Sequence, residues 1–148
     1  MRLPRFAADQ GRAGPTAGAA GPGNEGGASH PLFGGWSATR WQYTSAEDPG
    51  QTVDVVCDLG GSISLSLTET AFILTCDVAG LGHRSLGGTC VVRGDELLLS
   101  AEGTAGFDAV RFRQIGETLS LRSDASGWDF EGKGHDRAAS FVAVLVRL

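Results

Sequence analysis

The sequence predicts an all-β fold, an antiparallel up-and-down β-barrel of eight to ten strands behind a disordered N-terminal leader. Three observations predict it. From Phe33 onward, apolar side chains recur with period two and almost never with period 3.6. The alternating runs are short, and Gly-rich turn signals separate them at intervals of roughly 8–12 residues. The last run, "AASFVAVLVRL", is apolar on both faces, as in a strand that is covered on both sides or that closes a sheet.

Residues 1–31 are predicted to be a flexible leader and residues 32–148 the barrel domain. The first thirty residues hold seven Gly and seven Ala, with Leu3 and Phe6 their only large apolar side chains. Such a segment buries too little surface to offset its ordering entropy. Arg2 and Arg5 suit the n-region of an export signal, but no apolar h-region follows. Either the protein stays inside the cell or a signal lies upstream of this start.

The domain opens with "PLFGGWSATRWQYTS", residues 31–45. Trp36 and Trp41 are five apart, so a regular strand would turn them to opposite faces. A bulge between Ala38 and Trp41 would flip the parity and bring Trp41 and Tyr43 inward; without it, one tryptophan lies outside. "SISLSLTET" then puts Ile63, Leu65 and Leu67 on one face against serines on the other, and "AFILTCDV" groups Phe72, Leu74, Cys76 and Val78. "RGDELLLS" reads as a hairpin, because Gly94-Asp95 can supply the positive φ of a tight turn. "VRFRQIG" alternates Val110 and Phe112 with Arg111 and Arg113, and "ETLSLRSD" supplies Leu119 and Leu121. The expected interior comprises Trp36, Ile63, Leu65, Leu67, Phe72, Leu74, Leu97, Leu99, Phe112, Leu119, Leu121 and Leu145. Each such side chain contributes about 1.5–3 kcal/mol on burial.

Charged residues make up 20% and hydrophobic ones 41% of the 148-residue chain, ordinary for a globular protein. The formal charge of −5 argues against a nucleic-acid partner, which needs clustered Lys and Arg. No run approaches the ~20 apolar residues of a membrane span.

Several motifs together resemble bacterial lipocalin-like barrels of the calycin type. They are Gly34-Gly35-Trp36, the hairpins built on Gly94, Asp95, Leu97, Leu99 and on Gly116, Thr118, Leu119, Leu121, and the closing Leu145-Val146-Arg147. The resemblance covers residues 32–148. It implies that Gly34 and Trp36 form the barrel floor and that Arg147 packs across the indole. A floor must be wide, apolar and rigid, which suits tryptophan. A guanidinium over its face gains about 0.5–2 kcal/mol and can also donate to nearby carbonyls.

Cys57, Cys76 and Cys90 have no zinc-site spacing. Cys76 and Cys90 fall on consecutive strands, face inward, and are centred on His83, so a hairpin could oppose them. A disulfide there would contribute ~3 kcal/mol and would require an oxidising compartment. Otherwise they are buried thiols acting as small hydrophobes. Cys57 is expected to be free and buried.

"DFEGKGHD" imitates a calcium loop, but Lys133 occupies a ligand position, so a polar turn is the better reading and no metal is assigned. His30, His83 and His135 fall in expected loops or the leader. Asp54, Asp58, Asp77, Asp108 and Asp124 mostly alternate with apolar positions, as on a solvated face. No catalytic constellation and no cofactor motif emerges, so no enzyme is expected.

Two functions of different class are compatible with this reading. The first is a non-catalytic binder of a small apolar ligand in the open end, with Leu65, Leu74, Phe112, Leu121 and Phe141 lining the wall. The second is a barrel filled by its own side chains, a structural or protein-interaction module at the cell envelope. The resemblance and the possible disulfide suggest a periplasmic or secreted location.

Overall fold

The computed structural model describes residues 30–80 and 82–148; most of the expected leader lies outside the described residues. Among the described residues there are nine strands: β1 (Gly34–Ser45), β2 (Thr52–Asp54), β3 (Ser62–Leu67), β4 (Ala71–Val78), β5 (Gly82–Arg93), β6 (Glu96–Ala101), β7 (Asp108–Ile115), β8 (Thr118–Trp128) and β9 (Arg137–Arg147). Strands β3 to β9 pair antiparallel in sequence order, β3 pairs with β1, and β9 returns to β1. The sheet is therefore a closed eight-membered barrel. Closure satisfies the backbone of β9 on both sides and leaves only the short β2, paired with β1 alone, at an edge. No helix among the described residues is long and apolar enough to cross a membrane.

The lower half of β1 pairs with β3, through Gly34 to Ser37, and its upper half pairs with the short β2, through Gln42 to Thr44. On its other side β1 pairs with β9 along nearly its whole length, with a register shift between Ala38 and Arg40. That bulge reconciles the tryptophans: Trp36, Trp41 and Tyr43 are all fully buried. The inward faces interlock large against small, as where Trp41 sits opposite Ala143 on β9. The closing strand proves to be covered on one side only, since Val142 and Val146 on its outer face are 43% and 39% exposed.

The two predicted hairpins form. Arg93 pairs with Glu96 across Gly94-Asp95, and Ile115 pairs with Thr118 across Gly116-Glu117. The long β5 changes partner midway, from β4 to β6, with both pairings overlapping at Gly88-Thr89. A Cβ on Gly88 would lie 2.0 Å from the Ser100 carbonyl oxygen. Only glycine lets the two backbones approach so closely at this barrel corner.

Eleven of the twelve residues expected inside are buried, and Phe112 is half-buried at the lower rim. The cysteine expectations need correcting. Cys76 pairs with Arg84, which centres the β4–β5 turn on residue 80 and not on His83. Cys90 lies six residues further along β5, about 20 Å at strand rise, and its N–H donates to the Thr70 carbonyl at the opposite end of the barrel. Cys76 and Cys90 are therefore not bridged, and all three cysteines are free. Cys57 is exposed, not buried.

Candidate functional site

The strand directions give the barrel two unlike ends. The lower end carries the chain entering β1, the tight hairpins and the C-terminus; the upper end carries the longer loops 46–61, 102–107 and 129–136.

The lower end is plugged. Trp36 and Arg147 are cross-strand partners, so their side chains share the inner face. The Arg147 guanidinium carbon stands 4.1 Å from the indole centroid. Its Nη1 donates to the Phe33 carbonyl at 2.7 Å and its Nη2 to the Pro31 carbonyl. The indole Nε1 donates to the Leu32 carbonyl at 2.9 Å. The segment before β1 is thus drawn across the barrel bottom by its own carbonyls. Gly34 makes this possible: its φ is +127°, and a Cβ there would lie 2.7 Å from Arg147 Nη1. His30, expected in the leader or a loop, belongs to this plug. Its Nδ1 accepts from the Leu32 N–H, and its ring lies 6.0 Å from Phe112.

Asp54 departs from the expected solvated face: it is 7% exposed. Its Oδ1 accepts backbone N–H groups from Trp41, Val56 and Cys57. Burial pushes the Asp54 carboxyl pKa up, but these donors outweigh it and hold the pKa below the usual carboxylate value. The carboxylate ties the loop after β2 to the upper part of β1. The sequence signal is "DVVC", an Asp whose side chain can cap the amides two and three residues on.

Above the plug the interior is solid. Leu65, Leu74, Leu121 and Phe141 are all at most 1% exposed, so no water-sized space touches these side chains. Rings stack from the core to the upper rim: Trp41 to Phe141 at 4.8 Å, Phe141 to Tyr43 at 5.5 Å, and Tyr43 to Trp128 at 4.9 Å, nearly parallel at 18°. Trp41 Nε1 donates to the Tyr43 hydroxyl at 3.1 Å inside this column. Trp128 ends it half-buried, and with Val53, Leu59 and Phe130 it lines an open groove of about 470 Å³ at the mouth. Arg137 spans the adjoining rim, donating to Glu47 at 2.7 Å and to Glu131 at 3.1 Å. Sequence reasoning placed the ligand wall deeper. The missed signal is the parity of "WDF", which continues the inward face of β8 into the loop.

A second depression, about 520 Å³, contains Ser62, Asp77 and His83. These residue types can build a nucleophilic triad, but the register forbids it here. Ser62 pairs with Asp77 and Asp77 with His83, so the carboxylate stands between the hydroxyl and the imidazole. His83 Nδ1 lies 3.0 Å from Asp77 Oδ1, and both side chains are more than half exposed. A triad needs its histidine in the middle, within reach of the serine proton.

The calcium-like segment folds as a turn on its own aspartate. Asp129 accepts the N–H groups of Lys133 and Gly134 at 3.1 and 2.6 Å. Desolvation acts upward on its pKa, but backbone N–H donors from Gly134, Lys133, Gly132 and Glu131 together outweigh it and leave the carboxyl below its usual value. Among the described residues no group of three or more His, Cys, Asp or Glu is placed to hold a metal ion. Burial raises the Cys76 and Cys90 thiols to about 11, which keeps them protonated.

No protein-family profile, curated protein or solved structure matches this chain.

Proposed function

We propose that this chain is a lipocalin-like barrel that binds a small, flat, apolar ligand at its mouth, without catalysis. The lipocalin-like reading draws on the Gly34–Trp36–Arg147 plug beneath a closed eight-stranded barrel. The observation that carries the binding reading is the groove beside Trp128, whose ring is backed by the buried Tyr43 and so presents a rigid aromatic platform. Apolar walls with a few polar rim groups suit a ligand that stacks on indole. Naphthalene and palmitate, titrated against intrinsic tryptophan fluorescence, test this. Naphthalene is expected to change the emission, and Trp128→Leu to weaken its binding by about tenfold, the scale of a lost aromatic contact of ~1.4 kcal/mol. An unaltered affinity in Trp128→Leu would move the site elsewhere.

The packed interior favours a second reading, a side-chain-filled barrel that presents its surface to another protein. Silence of every small-molecule probe in the same titration would favour it over the first.

A further inference from the structure

The outer wall formed by β7, β8 and β9 carries a basic, partly aliphatic patch that neither reading above uses. Arg111 on β7 and Arg122 on β8 are cross-strand partners, and Arg113 is two residues along β7 on the same face. All three are exposed, and among the described residues none makes an ion pair or a hydrogen bond through its side chain. Glu96 on β6 is the cross-strand partner of Arg111 on its other side, and Asp124 stands two residues along the chain from Arg122, neither at ion-pair distance. Like charges placed directly opposite one another destabilise a sheet, so Arg111 and Arg122 repel, a repulsion offset only on the β6 side, where Glu96 faces Arg111. Beside it run the outward valines of β9: Val142 is the cross-strand partner of Arg122, and Val144 and Val146 continue the stripe.

We propose that this wall docks an acidic segment of another protein, with carboxylates on Arg111, Arg113 and Arg122 and an aliphatic side chain on the valine stripe. Guanidinium groups pair with carboxylates in bidentate geometry, and a carboxylate between Arg111 and Arg122 would remove their repulsion. The charge balance favours a short protein segment over an extended polyanion. From Pro31 onward the chain has nine basic and fifteen acidic residues, and the upper loops are rich in acids such as Glu47, Asp48, Asp129 and Glu131. A membrane surface or nucleic-acid strand reaching past the patch meets that negative field. The patch also offers no aromatic ring on which bases could stack.

The test is direct binding of a labelled peptide alternating glutamate and leucine, beside an oligothymidylate and phosphatidylserine–phosphatidylcholine vesicles. The paired variant Arg111→Gln/Arg122→Gln is compared with Ser66→Glu/Ser85→Glu, which makes the same change in net charge on exposed positions of the far wall. Circular dichroism confirms that each variant is folded. The expected result is peptide binding that weakens with salt, falls at least about tenfold in the arginine variant, and changes less than about twofold in the control. Three results would overturn the proposal: no peptide binding, equal losses in both variants, or tighter binding of the oligonucleotide or the vesicles.

Discussion

Arg147 performs three tasks from one position: it covers the Trp36 face and gathers the carbonyls of Phe33 and Pro31. Replacing it with methionine keeps the aliphatic stem and removes every polar contact. Hydrogen bonds from a charged donor and a cation–π contact each contribute on the order of 1–2 kcal/mol where partly exposed. Arg147→Met is therefore expected to lower unfolding free energy by about 2 kcal/mol, read as a fall in the urea midpoint; an unchanged midpoint would mean that the indole alone seals the floor. Asp54 makes a pH-dependent contribution. Its folded pKa lies below its unfolded value, so its stabilisation is complete above about pH 4, the unfolded carboxylate range, and is lost as pH falls through the folded pKa. Asp54→Asn is expected to be less stable than the parent at pH 7, with the difference shrinking toward pH 3. Urea titrations at both values check this, and a constant difference would remove the carboxylate charge from the account.

Among the elements, β1 was legible in detail. The spacing of Trp36 and Trp41 allowed either a bulge or one outward tryptophan, and the register shift between Ala38 and Arg40 shows the bulge. The β4–β5 pair was legible in face but not in register. Cys76 and Cys90 are both even-numbered and both inward, and period-two alternation stays the same when two strands slide by two residues. The turn at residue 80, with Gly80 and Gly82 at positive φ, decided the slide. Its consequence is testable with a thiol reagent. One of the three cysteines, Cys57, is expected to react in the native protein, and all three after denaturation. A reductant should leave the intact mass unchanged. Labelling of a second native thiol, or a mass gain of two hydrogen atoms on reduction, would contradict this register.

At the scale of the whole molecule, one interior is shared by eight strands whose ends meet only when β9 reaches β1. The pairing of β1 with β9 joins residues some hundred positions apart, such as Trp36 and Arg147. Closing that loop comes before most of the contacts that reward it, so folding is expected in milliseconds to seconds. Because Trp36 and Trp41 report on the lower and upper interior, unfolding should be a single transition. Tryptophan fluorescence and far-ultraviolet circular dichroism are expected to give coincident urea curves; separated curves would show that the two ends of the barrel come apart independently.

Alternation along the chain was enough to determine the all-β class and eleven of the twelve side chains expected inside, because a strand's two faces are set by adjacent residues; the tryptophan plug was implied by the resemblance to lipocalin-like barrels. Where strands slide against one another, which loops fold over the mouth, and which carboxylates end up buried were decided only by the closed barrel. Asp54 and the Trp128 groove depend on amides and rings brought in from other strands, and the meeting of Arg111 with Arg122 exists only once β7 and β8 lie side by side. Local patterning encodes direction, whereas register and enclosure are properties of the assembled sheet.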